Sequence, residues 1–201
     1  MHIVLLGDSI FDNGAYVPGG EPVITQVRSR LSPRSKATLL AKDGAISAEV
    51  IDQLRHLPAG ATHLVISAGG NDALGSMSAM SVPVTNIGEA LGSLAAIRRQ
   101  FRHAYRGALD AVLKSQKAVA VCTIYEAIPD FPEAMQAGLA IFNDTIVREA
   151  LAAGIGIIDL REICTDRDDF SEISPIEPSE QGGRKISDAV ANWANGPGRV
   201  R

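Results

Sequence analysis

The sequence predicts an α/β protein built on a doubly wound sheet of five parallel strands. Three observations carry this. Apolar runs and helical stripes alternate five times along the 201 residues. Each run is short and nearly continuous in apolar side chains, as strands covered on both faces require. No repeat, low-complexity tract or linker divides the chain, so residues 1–201 are expected to form one domain. Alternation of this kind implies right-handed crossovers between neighbouring strands.

The first strand is expected at His2–Leu6, where an apolar run ends at Gly7. Val23, Val27 and Leu31 then make a helical stripe. The second strand is expected at Ala37–Ala41. Ser47 is expected to cap a helix carrying Val50, Leu54 and Leu57. The third strand is expected at His63–Ser67. A long helix follows, on which Ile87, Leu91, Leu94, Phe101, Tyr105, Ala108 and Val112 keep helical steps. The fourth strand is expected at Ala118–Thr123. Its helix carries Met135, Leu139, Phe142, Ile146 and Ala150, with Pro132 near the start and Gly154 at the stop. The fifth strand is expected at Ile155–Asp159, and Ile186, Val190 and Trp193 mark the last helix.

Composition narrows the function classes. Hydrophobic residues at 46% and charged residues at 21% are ordinary for a globular chain. A net charge of −4 without a Lys/Arg patch argues against a nucleic-acid partner. The N-terminus lacks a basic flank and reaches a glycine at once, which reads as a strand and not as a signal peptide. No apolar run is long enough to span a bilayer, and a cytoplasmic location is the expectation. Cys122 and Cys164 lack metal-ligand spacing and are expected to be reduced and buried. Neither a dinucleotide glycine fingerprint nor a phosphate loop ending in Gly-Lys-Ser/Thr occurs, so nucleotide chemistry is not expected.

Doubly wound sheets bind ligands beyond the carboxyl ends of their strands, which directs attention to the loops there. After the first strand, Gly7-Asp8-Ser9 sets a hydroxyl at the strand tip; a capped turn and a nucleophile use the same letters. After the second strand, Gly44 can offer an unobstructed backbone N–H or simply a turn. After the third, Gly69-Gly70-Asn71-Asp72 lets the backbone approach a ligand and supplies an amide donor. A hydroxyl, a glycine N–H and an amide at three successive strand tips together furnish what acyl transfer needs: a nucleophile and donors for the developing oxyanion.

In this order, Gly7-Asp8-Ser9, Gly44 and Gly69-Gly70-Asn71-Asp72 resemble the SGNH (GDSL-type) hydrolases over nearly the whole chain. The resemblance implies a three-layer α/β/α sandwich of flavodoxin-like type and an esterase, lipase, thioesterase or deacylase activity. It implies that Ser9 is the nucleophile, and that the Ser9 and Gly44 N–H groups with the Asn71 side chain form the oxyanion hole. It implies no metal or organic cofactor and a small ester or acylated substrate.

One motif departs from the family. Its last loop carries Asp-x-x-His, where this chain has Ser174-Pro175-Ile176-Glu177 before Pro178-Ser179. Ser174 falls on the Asp and Glu177 on the His. His2, His56, His63 and His103 occupy positions that cannot replace it. A carboxylate, with a reference pKa near 4.3 against about 6.5 for His, is the weaker base by roughly two units, or about a hundredfold in rate. Burial of Glu177 would recover part of that difference. A carboxylate also has no tautomer to fix, so Ser174 is expected to be a hydrogen-bond partner at most. The reading from another class is a binding protein that keeps the fold and pocket without hydrolysis. A phospho-acceptor receiver shares the sheet but needs a Lys after the fifth strand, where the sequence reads Asp159-Leu160-Arg161.

Three further segments adjoin the expected site. Ala73–Ile87 is poor in charge and contains Met77 and Met80, which suits either a wall over an apolar group or a plain connector. Tyr16 suits the pocket or a packed surface. Glu162, Asp166, Asp168, Asp169 and Glu172 lack the alternation of a calcium loop and are expected to be solvated, disfavouring strongly anionic substrates.

Overall fold

The computed structural model describes residues 1–196. Its centre is one sheet of parallel strands: β1 (His2–Gly7), β2 (Lys36–Leu39), β3 (His63–Ser67), β4 (Ala118–Cys122) and β5 (Gly156–Ile158), in spatial order β2-β1-β3-β4-β5. The helices are α1 (Val23–Arg30), α2 (Val50–Gln53), α3 (Gly70–Gly75), α4 (Ile87–Leu113), α5 (Glu133–Ala153), α6 (Leu160–Ile163) and α7 (Glu180–Asn195). The α/β fold and five-stranded parallel sheet expected from the alternation are those observed.

Strand periodicity sorts the core into two halves, because successive side chains point to opposite faces. Ile3, Leu5, Val65, Ala120 and Ile158 pack against Val23 and Val27 of α1 and Ile186 and Val190 of α7. Val4, Leu6, Leu64, Ile66 and Val121 pack against Val50, Phe101 and Tyr105, and against Phe142 and Ile146 of α5. Sandwiching the sheet this way buries both faces of its middle strands, hence their unbroken apolar runs. Register places Val4 beside Leu64 and Thr38, so the tips of β1, β2 and β3 end at similar heights.

Several boundaries differ from expectation, each for a local reason. The β2 ladder ends at Leu39, since the Leu40 and Ala41 amides both converge on the Leu5 carbonyl at 2.9 Å. β5 is only three residues long. Leu31 lies just past α1, which stops at Arg30. The Val50, Leu54, Leu57 stripe spans a four-residue α-helix between two 3₁₀ turns, Ser47–Glu49 and Leu54–His56. Ser47 does not cap it. Its N–H and hydroxyl both donate to Asp72 Oδ2 at 2.9 Å, while the Glu49 carboxylate accepts from the Ile46 N–H. Ile87 and Leu91 keep the period of α4 yet are 78% and 59% exposed; burial on that helix starts farther along, at Phe101. Pro132 and Gly154, the latter at φ +66°, bound α5 as expected.

From β1 the chain runs to β2 on one side, while β3 lies on the other, so a crevice opens between the carboxyl ends of β1 and β3. Ser9, Asn71 and Glu177 lie at that end, and Gly44 follows the end of β2.

Candidate active site

The turn after β1 is held tightly. Gly7 adopts φ +114°, and a Cβ there would sit 1.6 Å from the Ser67 carbonyl oxygen, so no other residue fits. The Gln53 amide clasps Gly7 from the side, accepting from its N–H at 2.7 Å and donating to its carbonyl at 2.8 Å. The Asp8 N–H donates to Ser67 O, and the Phe11 and Asp12 amides donate back to Asp8 O. Ser9 is thereby set on a tight turn at the strand tip, 6% exposed.

Its hydroxyl donates to Glu177 Oε1 at 3.0 Å. Glu177 is 5% exposed, and its second oxygen, Oε2, is buried and has no hydrogen-bond partner among the described residues. The loop bearing it is braced through its backbone from four directions. The Glu177 N–H donates to Ser174 O at 3.0 Å and its carbonyl accepts from the Ser171 N–H at 2.8 Å. The buried Tyr125 hydroxyl donates to Ile176 O. Asn13, fully buried, donates to Pro178 O at 3.1 Å while accepting from the Val23 N–H. Ser179 then caps α7 by accepting from Gly182 N. Ser174 takes part through its carbonyl.

The second and third loops meet beside this pair. Gly44 has φ +79°, a left-handed turn that a side chain would strain. Among the described residues, neither the Ser9 nor the Gly44 N–H donates to a protein acceptor. The Asn71 amide donates to Ala45 O at 3.0 Å, tying α3 to the Gly44 loop. The Tyr16 hydroxyl donates to Asp43 Oδ2 and the Asp43 N–H donates to Asp12 Oδ2, lacing the first and second loops together. Tyr16 therefore holds the loop beside Gly44 and lines a neighbouring cleft instead of the cavity at Ser9.

That cavity has a volume of about 470 Å³ and is open on one side. Ser9, Asn71 and Glu177 lie in its wall, and the remainder is mostly apolar; among the described residues, Asp8, Tyr125 and Glu177 are its only ionisable lining groups. Burial raises Glu177 to about 7 against the pull of the Ser9 hydrogen bond, with Asp43 adding a smaller push upward. Burial also raises Asp8 to about 7, opposed by hydrogen bonds from the Ser67 side chain and the Ile10 N–H, with Glu177 adding to the rise. Tyr125 is pushed well above its usual value, again by burial, and stays a neutral donor.

None of the four histidines lines the cavity. His2 bonds Thr38 and His63 bonds Thr62, both at the opposite end of the sheet, where His63 also meets the Trp193 ring edge-on. In the acidic loop Glu162, Asp166, Asp168 and Glu172 are exposed as expected, but Asp169 is fully buried and accepts from Lys185 at 2.7 Å, fastening the loop that leads to Glu177 onto α7. Tyr125 and Asn13 were not legible as part of the site. Both act on backbone carbonyls, which carry no side-chain signature; the one available signal was that Tyr125 lies in the loop after β4.

A strand-tip hydroxyl bonded to a buried carboxylate thus lies in the wall of an apolar cavity at the carboxyl end of a doubly wound sheet. The chain belongs to the GDSL-like lipase/acylhydrolase family, whose match runs over residues 5–185. No curated protein matches it by sequence. Among solved structures it is similar to a lipase from a goat rumen metagenome, at 19% identity and a TM-score of 0.76, covering 98% of this chain and 99% of that one. It is also similar to an acetyl xylan esterase (17%, TM-score 0.71, covering 96% and 98%). A third likeness is to an extracellular lipase from Streptomyces rimosus (17%, TM-score 0.67, covering 94% and 98%). These likenesses show a shared fold. Among the described residues, no helix is long and apolar enough to cross a membrane.

Proposed function

We propose that the chain hydrolyses an ester or thioester through an acyl-enzyme on Ser9, with Glu177 as the general base. The observation that carries this is the 3.0 Å hydrogen bond from the Ser9 hydroxyl to a buried Glu177 carboxylate at the wall of a cavity. Ser9 Oγ attacks the acyl carbonyl carbon as its proton passes to Glu177 Oε1. The N–H groups of Ser9 and Gly44 and the Asn71 amide receive the oxyanion. Glu177 returns the proton to the departing oxygen or sulfur, and a water activated by the same carboxylate releases the acid.

Burial is what makes a carboxylate serviceable here. At an ordinary carboxylate pKa, Glu177 would trail an imidazole as a base by about a hundredfold. Raised to about 7, it matches one. Glu177 needs no orienting acid, since its backbone is braced on both sides. The binding-only reading draws on the absence of a histidine from the site. A fluorophosphonate probe separates the two: the hydrolase reading expects one phosphonyl adduct per chain on Ser9 by intact mass, and no adduct beside a fully labelled active relative would overturn it.

A further inference from the structure

The geometry points to the acyl group that the site takes: an alkyl chain of about eight to twelve carbons, held in the apolar cavity between α4 and α5. This rests on the proposed ester hydrolysis for its chemistry, but the cavity itself is independent of it. The cavity is lined by Ser9 and Glu177, by Met77 and Leu94, the latter on α4, and by Phe131 and Met135, the latter on α5. Among the described residues no Lys, Arg or His lines it, so none of them would pair there with a phosphate or a second carboxylate.

Size sets the length. A water molecule's share of liquid volume is about 30 Å³ and a methylene is of similar size, so 470 Å³ caps the chain at roughly fifteen carbons. Because the cavity is open on one side, part of that volume stays with water, which brings the occupant to about eight to twelve. An acetyl group would leave nearly all of it empty.

Two details favour a chain over a compact group. Met80, Val82 and Val84 line the cavity and are still 50%, 58% and 45% exposed, leaving a strip of apolar surface that an extended chain would cover. On α5, Gly138 also lines the cavity, and a Cβ built there meets nothing within 4 Å. The wall is hollowed at that point.

The test is a series of p-nitrophenyl esters from acetate to palmitate with the intact chain. In parallel, binding of 1-alkanols from butanol to hexadecanol is measured on Ser9→Ala by displacement of an environment-sensitive dye. Turnover as kcat/KM should rise about three- to fourfold per methylene to a maximum between the C8 and C12 esters and then fall. Alkanol affinity should follow the same profile. Gly138→Leu, which fills the hollow while improving helix propensity, should move both maxima to shorter chains. An acetate-best or flat ester series together with no length preference among alkanols would overturn the inference. Alkanol binding that peaks at C8–C12 without turnover of any ester would uphold the pocket and instead remove the Ser9–Glu177 chemistry.

Discussion

The two walls of the cavity are built on opposite principles. The wall bearing Glu177 is a short loop whose backbone is gripped by Tyr125, Asn13, Ser171 and Ser174, with the Lys185–Asp169 pair behind it. The facing wall, from Met77 to the first turns of α4, is apolar and exposed, and its one acid, Glu89, accepts from the Thr85 N–H and hydroxyl while its own N–H donates to the Asn86 cap. A proton must be transferred over a fraction of an ångström, whereas a hydrocarbon chain needs only to be kept from water. Rigidity lies where the chemistry needs it, and the looser wall lies where acyl groups of variable shape would fit.

Breaking the rigid wall should therefore lower kcat, with stability falling where a bracing hydrogen bond is lost, and altering the other should touch KM alone. The largest effect is expected from Glu177→Gln, which keeps the shape and can still accept from Ser9 but cannot take its proton. Ester turnover at pH 8 should fall by about 10²- to 10³-fold with little change in KM. Asn13→Ala removes two hydrogen bonds from buried partners and should cost about 2 kcal/mol in denaturant unfolding, with a lower kcat. Tyr125→Phe removes only the bond to Ile176 O. A loss of about 1 kcal/mol and a kcat reduced severalfold at unchanged KM would mark it as a positioning residue. Val82→Ser, on the exposed wall, should stay within about 0.5 kcal/mol of the parent in stability while raising KM for long esters.

The raised pKa of Glu177 also has a stability consequence of definite sign. Folding favours its protonated form, so this contribution is full below about pH 4.5 and is lost as the pH rises through about 7. Relative to the parent, Glu177→Gln should gain about 1–2 kcal/mol at pH 8, the full shift being discounted for the open side of the cavity, and nothing at pH 4. Urea unfolding at the two pH values measures this. A site strained in this way gives up stability to keep a usable base, as sites tuned for catalysis do.

Much of this was readable from residue order. Continuous apolar runs marked all five strands because both faces of the sheet are covered, and Ser9, Gly44 and Asn71 stood out because their side-chain types, or lack of one, are what the turns present. Local reasoning failed where one pattern suits two structures. Val50, Leu54 and Leu57 fit an α-helix and a 3₁₀ turn alike, Ser47 is as able to bond Asp72 as to cap, and Ile87 and Leu91 mark a helical face without saying that anything covers it. The sheltering of Glu177 was hidden for a different reason: its environment comes from Tyr125, Asn13 and Asp43, which are distant in sequence.

The most direct test of a carboxylate base is the pH dependence of kcat/KM between pH 5 and 9, measured on a p-nitrophenyl ester for the parent and Glu177→Gln. The parent should gain about tenfold per unit on the acid side and level off above about pH 7, while the variant should be slow and flat across the range. An acid limb that survives in Glu177→Gln with undiminished turnover would show that another group accepts the Ser9 proton.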